Sequence, residues 1–518
     1  MVRSSVKLTP SCTAYFNMTL KRISRILRTN LHFVWVILFF IFHGYSQYQQ
    51  LIPVKDLILL AVELLIGGFL LFWISTLLFQ NKNKSGIFTS FVLVLILFFG
   101  VFQDFFGSIR LLSVLSYLRL LILIFLVTIA LVFYFLKRSG KDFRKAVIYI
   151  NGLFLIYLLI DIFSIFYQSI LPSSGTTKSP VQFKSSGCDS CKMPSVYLII
   201  LDEYLGSQGL KEYFNYDNAN FETVLFDRGF KVIKNPTSNY QLTLFSMASL
   251  LNMNYIHDLD EQKLDDHYVY KKILSTLRNN LVCDIFRNNG YRLINFSNFE
   301  IKNAPSENLP SELPQKIQLI TSQTMVYRMM KYLPVWLEQV KIVKNQKKGG
   351  APLVNPNEEI IRKTLSVSRD NQQSPAFVYL HLMMPHLPYA YDSSGRKRMP
   401  DVQNPKSQPE TDMAYLQYLV YTNHRISQFI FQLQEFTREN AIILLMSDHG
   451  YRTGMDKNLK LGYQTFNAVF LPNKNYKDWY DGMSNVNQFP LIFNSVFGLN
   501  IPLLKDSIAK HVNSSGGR

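Results

Sequence analysis

Val196-Tyr197-Leu198-Ile199-Ile200-Leu201-Asp202-Glu203 is six apolar residues closed by two acids. A run of this length without apolar/polar alternation predicts a strand covered on both faces, as in the parallel sheets of α/β proteins. Two more stretches repeat the pattern. Ala376-Phe377-Val378-Tyr379-Leu380-His381-Leu382 runs into Met383-Met384-Pro385-His386, and Ala441-Ile442-Ile443-Leu444-Leu445-Met446 runs into Ser447-Asp448-His449-Gly450. A fourth strand is predicted over 466–471, closed by Pro472. Taken singly, a strand-end acid also serves as a helix cap or a turn residue. Ligands of open parallel sheets bind beyond the carboxyl ends of the strands, so ends in Asp-Glu, His-x4-His and Asp-His can converge on one site. That set of hard oxygens and imidazoles suits zinc or a similar divalent ion.

Between the first two strands lies Asn239-Tyr240-Gln241-Leu242-Thr243-Leu244-Phe245-Ser246-Met247-Ala248-Ser249-Leu250-Leu251-Asn252-Met253. Apolar residues recur here at helical spacing from Leu242, and Pro236, Ser238 and Asn239 upstream are helix-starting residues. Thr243 therefore falls near a helix N-terminus, where free N–H groups and the helix dipole favour an alkoxide or a bound phosphate. The plainer reading makes Thr243 and Ser246 capping hydroxyls of a core helix. A second helix is predicted over 409–436, with His424 on its surface or packed, and Glu410, Asp412 and Asp401 as solvated charges. Residues 300–350, polar and basic, read as helical insertions and loops.

The 518-residue chain carries a formal net charge of +18 and 14% aromatic residues, with a mean hydropathy of +0.07, too apolar for an ordinary soluble protein of this size. The apolar residues concentrate in five nearly charge-free runs, 31–45, 57–78, 87–106, 120–136 and 146–166, each close to the roughly 20 residues that cross a bilayer. Arg3, Lys7, Lys21, Arg22, Arg25 and Arg28 precede the first run, Lys82 and Lys84 follow the second, and Lys137, Arg138, Lys141, Arg144 and Lys145 follow the fourth. The alternate loops hold only Lys55, then Arg110 and Arg119. The positive-inside rule then makes the N-terminus cytoplasmic, and an odd number of spans delivers the remainder to the outside. This placement of charge argues for topology and anionic lipid, not for nucleic acid. Glu63 and Asp161 fall inside spans, where ionisable groups mark a functional pocket, or else snorkel or pair within the bundle. Of four cysteines, Cys188 and Cys191 form a CxxC in a polar linker, read as a local disulfide; Cys12 and Cys283 look incidental.

The expected organisation is a five-helix transmembrane bundle (1–170), a linker (171–194), an extracytoplasmic α/β domain with a mainly parallel central sheet (195–510) and a tail (511–518). Four motifs, Asp202-Glu203 after a strand, Thr243-x2-Ser246-x2-Ser249-Leu250, His381-x4-His386-x-Pro388-Tyr389 and Ser447-Asp448-His449-Gly450, resemble the alkaline-phosphatase superfamily in its sulfatase-like branch. The closest likeness is to membrane-bound phosphoethanolamine transferases and lipoteichoic acid synthases. The resemblance implies one divalent metal, Zn or Mn, on Asp202, Asp448 and His449 with Thr243, the nucleophile, against it. It also implies His381 and His386 on substrate phosphate, on a second metal or as the leaving-group acid. Glu203 and Ser246 are fallbacks for Asp202 and Thr243, and Arg452 and Lys460 are candidates for holding substrate phosphate.

The departures are specific. A sulfatase nucleophile opens a C/S-x-P/A-x-R signature, whereas Thr243-Leu244-Phe245-Ser246-Met247 has neither the Pro nor the Arg, which disfavours sulfatase activity. The histidine that the transferases carry about a dozen residues after the Asp-His pair has no counterpart, which leaves a second metal open. The implied activity is transfer of a phosphoethanolamine- or glycerophosphate-type head group from a phospholipid donor to an envelope lipid or glycan acceptor, through a phospho-threonine, in the inner membrane with a periplasmic catalytic domain. The alternatives are a phosphodiesterase or other hydrolase with the same nucleophile, and a non-catalytic envelope glycan-binding scaffold.

Overall fold

Three strands of apolar residues lie side by side: β1 (Ser195–Leu201) pairs in parallel with both β4 (Ala376–Leu382) and β5 (Ala441–Ser447). In this computed structural model the described residues are 27–170, 183, 193–264, 266–306, 314–330, 356–370, 374–399, 407–452 and 460–508. Cys12, Cys188, Cys191, Asp401 and the basic residues before Leu27 lie outside them. β2 (Lys231–Val232), β3 (Arg292–Phe296) and β6 (Asn467–Phe470) complete a six-stranded sheet of order β2-β6-β5-β1-β4-β3. β3 joins β4 in parallel, but β6 runs antiparallel to β5 and β2 antiparallel to β6, so the sheet is mixed. β6 follows β5 in the chain, lies next to it in the sheet and runs back along it.

Side chains alternate between two buried faces. Tyr197, Ile199 and Leu201 of β1 share one core cluster with Val378 and Leu380 of β4 and Ile443 and Leu445 of β5, under Tyr415, Leu419, Ile426 and Phe429 of a long helix (Gln408–Thr437). On the opposite face Phe377 of β4 stacks on Phe286 at 4.5 Å and meets Phe489 edge-on. Helices over both faces account for the absence of polar residues in the three central strands until their carboxyl ends. His424 is exposed on the long helix. Asp412 is not a solvated charge, because its carboxylate accepts hydrogen bonds from Tyr451 at 2.6 Å and Tyr213 at 3.1 Å.

A separate compact unit holds the membrane-type helices together with residues 314–330. Its helices are α1 (His32–Tyr48), α2 (Val54–Phe79), α3 (Lys82–Leu97), α4 (Phe99–Ser108), α5 (Leu118–Arg138) and α6 (Arg144–Ile170). Three of them, α2, α5 and α6, are long and apolar enough to cross a membrane, and the α3–α4 pair, bent by 57°, makes a fourth if it is one span. The expected five therefore differ at two places. The third run breaks at Phe98, and the first forms a helix of 17 residues. α1 is nevertheless the centre of the unit, with Phe33, Val36 and Ile37 fully buried. Gly68 of α2 lets it approach closely, since a Cβ there would come within 2.7 Å of Ile37; small residues at contacts between membrane helices act in this way. By contrast α2 turns Ile58, Ile66 and Trp73 outward, an apolar surface that suits lipid. α1 and α6 run in the same direction: Asn151 of α6 donates to the carbonyls of Leu27 and Thr29, and Asp161, further along α6, meets His43, further along α1. In residues 314–330 the Gln323 carbonyl accepts from Gly100 N–H at 2.7 Å, and Arg328 pairs with Asp104 at 3.0 Å.

Candidate active site

The carboxyl ends of β1, β4 and β5 and the start of one helix bring the chemistry together. Asp202 follows β1 directly, and its N–H donates to the Leu382 carbonyl at the end of β4. Asp448 follows β5; its Oδ1 accepts from the N–H groups of Glu203 at 3.1 Å and His449 at 2.8 Å, which fixes the carboxylate. The other oxygen of each acid, Asp202 Oδ1 and Asp448 Oδ2, is buried with no hydrogen-bond donor. His449 lies between them, its Nε2 3.3 Å from Asp448 Oδ2 and 3.7 Å from Asp202 Oδ1. Its Nδ1–H donates to the Gly450 carbonyl at 2.8 Å, which leaves Nε2 as the free ring nitrogen.

Two orphaned carboxylate oxygens and one imidazole nitrogen, all buried and within 4.8 Å of one another, are what a divalent ion needs as ligands. Unpaired buried acceptors are otherwise costly, so the donor set fits a metal. Burial opposes ionisation of Asp202, but His386, His381 and His449 outweigh it and hold its carboxyl below the usual range. Burial, and then the facing charge of Asp202, pushes Asp448 up to about 6. Burial and the Arg452 charge push His449 down to about 3, so its imidazole is neutral, the form that ligates.

Thr243 opens the helix α7 (Thr243–Asn252), preceded by Leu242 at the cap position, which has no capping side chain. An apolar residue where Ser, Asp or Asn is favoured leaves the first N–H groups of the helix directed at whatever sits beyond it. The Thr243 hydroxyl lies 3.2 Å from His449 Nε2, half-exposed beside the metal-type cluster. Glu261 supports this entry to the helix: its Oε2 accepts from the N–H groups of Gln241 at 3.1 Å and Leu242 at 3.3 Å.

The other expected residues separate by position. Ser246 is buried, bonded to Ser238 and to the Asp448 carbonyl at 2.5 Å, so it braces the Asp448 loop and presents no open nucleophile. Glu203 is turned from the cluster by a positive φ of 63°, and its carboxylate accepts from the Arg452 N–H at 2.8 Å. His381 is fully buried in β4 with Nε2 3.1 Å from Asp202 Oδ2. The strand directs this side chain to Asp202, and the imidazole has no exposed surface. His386 is a quarter exposed, with Nε2 3.8 Å from Glu203 Oε2; its Nδ1–H donates to the Leu387 carbonyl. Against the cost of burial, Asp202 and Glu203 raise the pKa of His386. Arg452 is half-buried with its Nε unbonded, and Lys460 is exposed with no side-chain contact to the cluster among the described residues. Glu261 escaped the sequence reading, since a lone Glu in a polar stretch carries no signal.

A family model described as Sulfatase matches residues 231–490, just over half of the 518-residue chain. The chain belongs to the sulfatase family. The matched range contains Thr243, Asp448 and His449, and β1 with Asp202 precedes it. Among solved structures the chain is similar to the C-terminal periplasmic domain of EcEptC from Escherichia coli in complex with Zn. The identity is 12%, over 64% of this chain and 93% of that one, with a TM-score of 0.40. It is also similar to the integral membrane protein lipooligosaccharide phosphoethanolamine transferase A from Neisseria meningitidis, at 13% identity over 90% of this chain and 94% of that one, TM-score 0.38. A third is the phosphonate monoester hydrolase SpPMH from Silicibacter pomeroyi, at 15% identity over 58% and 73%, TM-score 0.36. No curated protein matches the chain.

Proposed function

We propose that the protein is a metal-dependent membrane phosphotransferase that moves a phospholipid-derived head group, of phosphoethanolamine or glycerophosphate type, to an envelope lipid or glycan through a phospho-threonine at Thr243. The observation that carries this reading is a hydroxyl at a bare helix N-terminus, 3.2 Å from an imidazole that shares its pocket with two orphaned carboxylate oxygens.

Asp202, Asp448 and His449 would hold a divalent ion, Zn or Mn, whose charge when bound lowers the pKa of a nearby hydroxyl and offsets charge gathering on phosphoryl oxygens. Thr243 Oγ1 attacks phosphorus and the P–O bond to the lipid alcohol breaks; the threonine proton passes to solvent and is regained from solvent when the acceptor displaces Oγ1. The N–H groups of the first turn of α7 face the phosphoryl oxygens in the manner of other helix N-termini that bind phosphate. His386, a quarter exposed and with its pKa raised, against the cost of burial, by Asp202 and Glu203, would give the leaving alkoxide its proton, and an acceptor hydroxyl then returns one as it displaces Thr243. His381 holds Asp202 in orientation from beneath. Arg452 is the candidate for substrate phosphate, as its unbonded guanidinium nitrogen lies in the same loop.

The reading includes five spans, with the N-terminus cytoplasmic and the catalytic domain outside. Parallel α1 and α6 support it, since helices in the first and fifth positions run the same way only if the bent α3–α4 pair crosses the membrane once.

Thr243→Ala is expected to lower head-group transfer by at least about a thousandfold while leaving zinc content and the melting temperature near wild type. Asp448→Asn is expected to lose the metal. Full transfer by Thr243→Ala would reject the phospho-threonine.

A further inference from the structure

Asp161 of α6 is an acid inside a membrane-type helix. Its side chain is 9% exposed, and Oδ1 accepts from His43 Nδ1 of α1 at 3.1 Å and from Ser46 at 3.4 Å. Gln47, one turn on from His43, donates its amide to His43 Nε2 at 3.0 Å. With Gln47 donating to Nε2, the hydrogen at Nδ1 faces Asp161 Oδ1. Asp161 Oδ2 is buried with no donor at all. Among the described residues no Lys or Arg pairs with Asp161. Ser46 and Gln168 extend the polar seam, Gln168 donating to the Ser46 carbonyl at 3.2 Å and to Ser164 at 3.1 Å.

Polar side chains between membrane helices commonly serve only to join them. A joining role accounts for Ser46, Gln168 and one oxygen of Asp161, but not for a second oxygen without a donor. Oδ2 is left without a hydrogen bond inside the bundle, and intramembrane acids mark functional sites. The seam opens outward, because the His43 side chain is 46% exposed. One turn back on each helix, Phe39 and Tyr157 stand with ring centroids 5.5 Å apart, and Phe39 is 5.2 Å from the His43 ring. Aromatic faces beside a carboxylate favour a cation. Asp161 lies nine residues before the end of α6 at Ile170, about 14 Å along the axis, and His43 five residues before the end of α1 at Tyr48. Both are therefore nearer one membrane face than the other.

We propose that the Asp161–His43 seam binds the primary ammonium of an aminophospholipid head group, with Asp161 Oδ2 accepting an N–H and Tyr157 and Phe39 lining the deeper side of the seam. A primary ammonium supplies both the charge and the hydrogen that Oδ2 lacks; a quaternary ammonium supplies only the charge. Identifying this lipid with the head-group donor rests on the transferase reading above, whereas binding itself does not.

The test uses the full-length protein in lipid nanodiscs and measures retained lipid by native mass spectrometry. The nanodiscs hold equimolar phosphatidylethanolamine, phosphatidylglycerol and phosphatidylcholine with identical acyl chains. Wild type is expected to retain phosphatidylethanolamine over phosphatidylglycerol by about tenfold, the scale of one charge-assisted hydrogen bond, and over phosphatidylcholine by a smaller factor. Asp161→Asn, of the same size but uncharged, is expected to bring all three to parity. Equal retention by wild type, or an unchanged preference in Asp161→Asn, overturns the proposal. If Asp161→Asn does not fold, the comparison of phosphatidylethanolamine with phosphatidylcholine in wild type decides alone, equality again overturning it. Because no turnover is measured, a failure of the phospho-threonine mechanism leaves these outcomes unaffected.

Discussion

Asp202 and Asp448 each offer one satisfied oxygen to the protein and one unsatisfied oxygen to the same small space, and His449 divides them. That asymmetry separates ligand from support at the level of single residues. His381 contributes a hydrogen bond to Asp202 Oδ2 from a fully buried position. Removing such a partner loosens metal without removing a ligand. His381→Leu is therefore expected to weaken zinc binding by roughly 10- to 100-fold in a competition titration with a chromogenic chelator, while stoichiometry at saturating zinc stays at that of wild type. An unchanged affinity would make His381 a packing residue only. The principal residues were legible in the sequence because Asp and His at the ends of apolar strands break an otherwise uniform pattern. The role of His381 was not, because a strand buried on both faces gives no sign of which way a given side chain points. Glu261 was illegible for another reason: its partners are backbone N–H groups, which have no residue type.

At the scale of elements, the turn at Gly450 just after β5 is tightly constrained. A Cβ on Gly450 would lie 2.0 Å from the Leu461 carbonyl oxygen and 2.3 Å from that of Gln464, both backbone atoms that cannot swing aside. The Gly450 N–H also donates to Gly462 at 2.9 Å. Gly450→Ala must therefore shift the strand-to-loop junction that carries Asp448 and His449. The expected cost is about 1–3 kcal/mol of stability, read as a lower midpoint in urea, accompanied by weaker metal binding. Wild-type values for both would mean that the backbone here has room to move. The strands β1, β4 and β5 were readable as unbroken apolar runs. β3 was not, since Arg292 and Asn295 interrupt its five residues at the sheet edge. Nor was the direction of β6, which pairing partners decide and composition does not. The break at Phe98 between α3 and α4 was likewise hidden, because residues 91–102 around it are apolar without interruption.

For the whole molecule, the described residues form two units, a helical one whose outward apolar surface suits lipid and an α/β one with a buried polar cluster. An ion that binds only the folded cluster stabilises the α/β unit by about 4 kcal/mol when free metal is some 1,000-fold above Kd. Chelation is accordingly expected to lower one thermal transition, that of the α/β unit, and to leave the helical signal in place. A single transition that ignores the chelator would argue against a resident metal. The division into an apolar half and an α/β half was evident from hydropathy alone, whereas the grouping of residues 314–330 with the helices was not, because their polar composition resembles any surface insertion. The central claim, that Thr243 carries the group being transferred, is open to one direct measurement. Wild-type protein loaded with zinc is incubated with phosphatidylethanolamine and no acceptor, quenched in acid, digested and sequenced by tandem mass spectrometry. The account predicts a phosphoethanolamine adduct on Thr243, lost in Asp448→Asn; an adduct on Ser246, or equal labelling in both proteins, contradicts it.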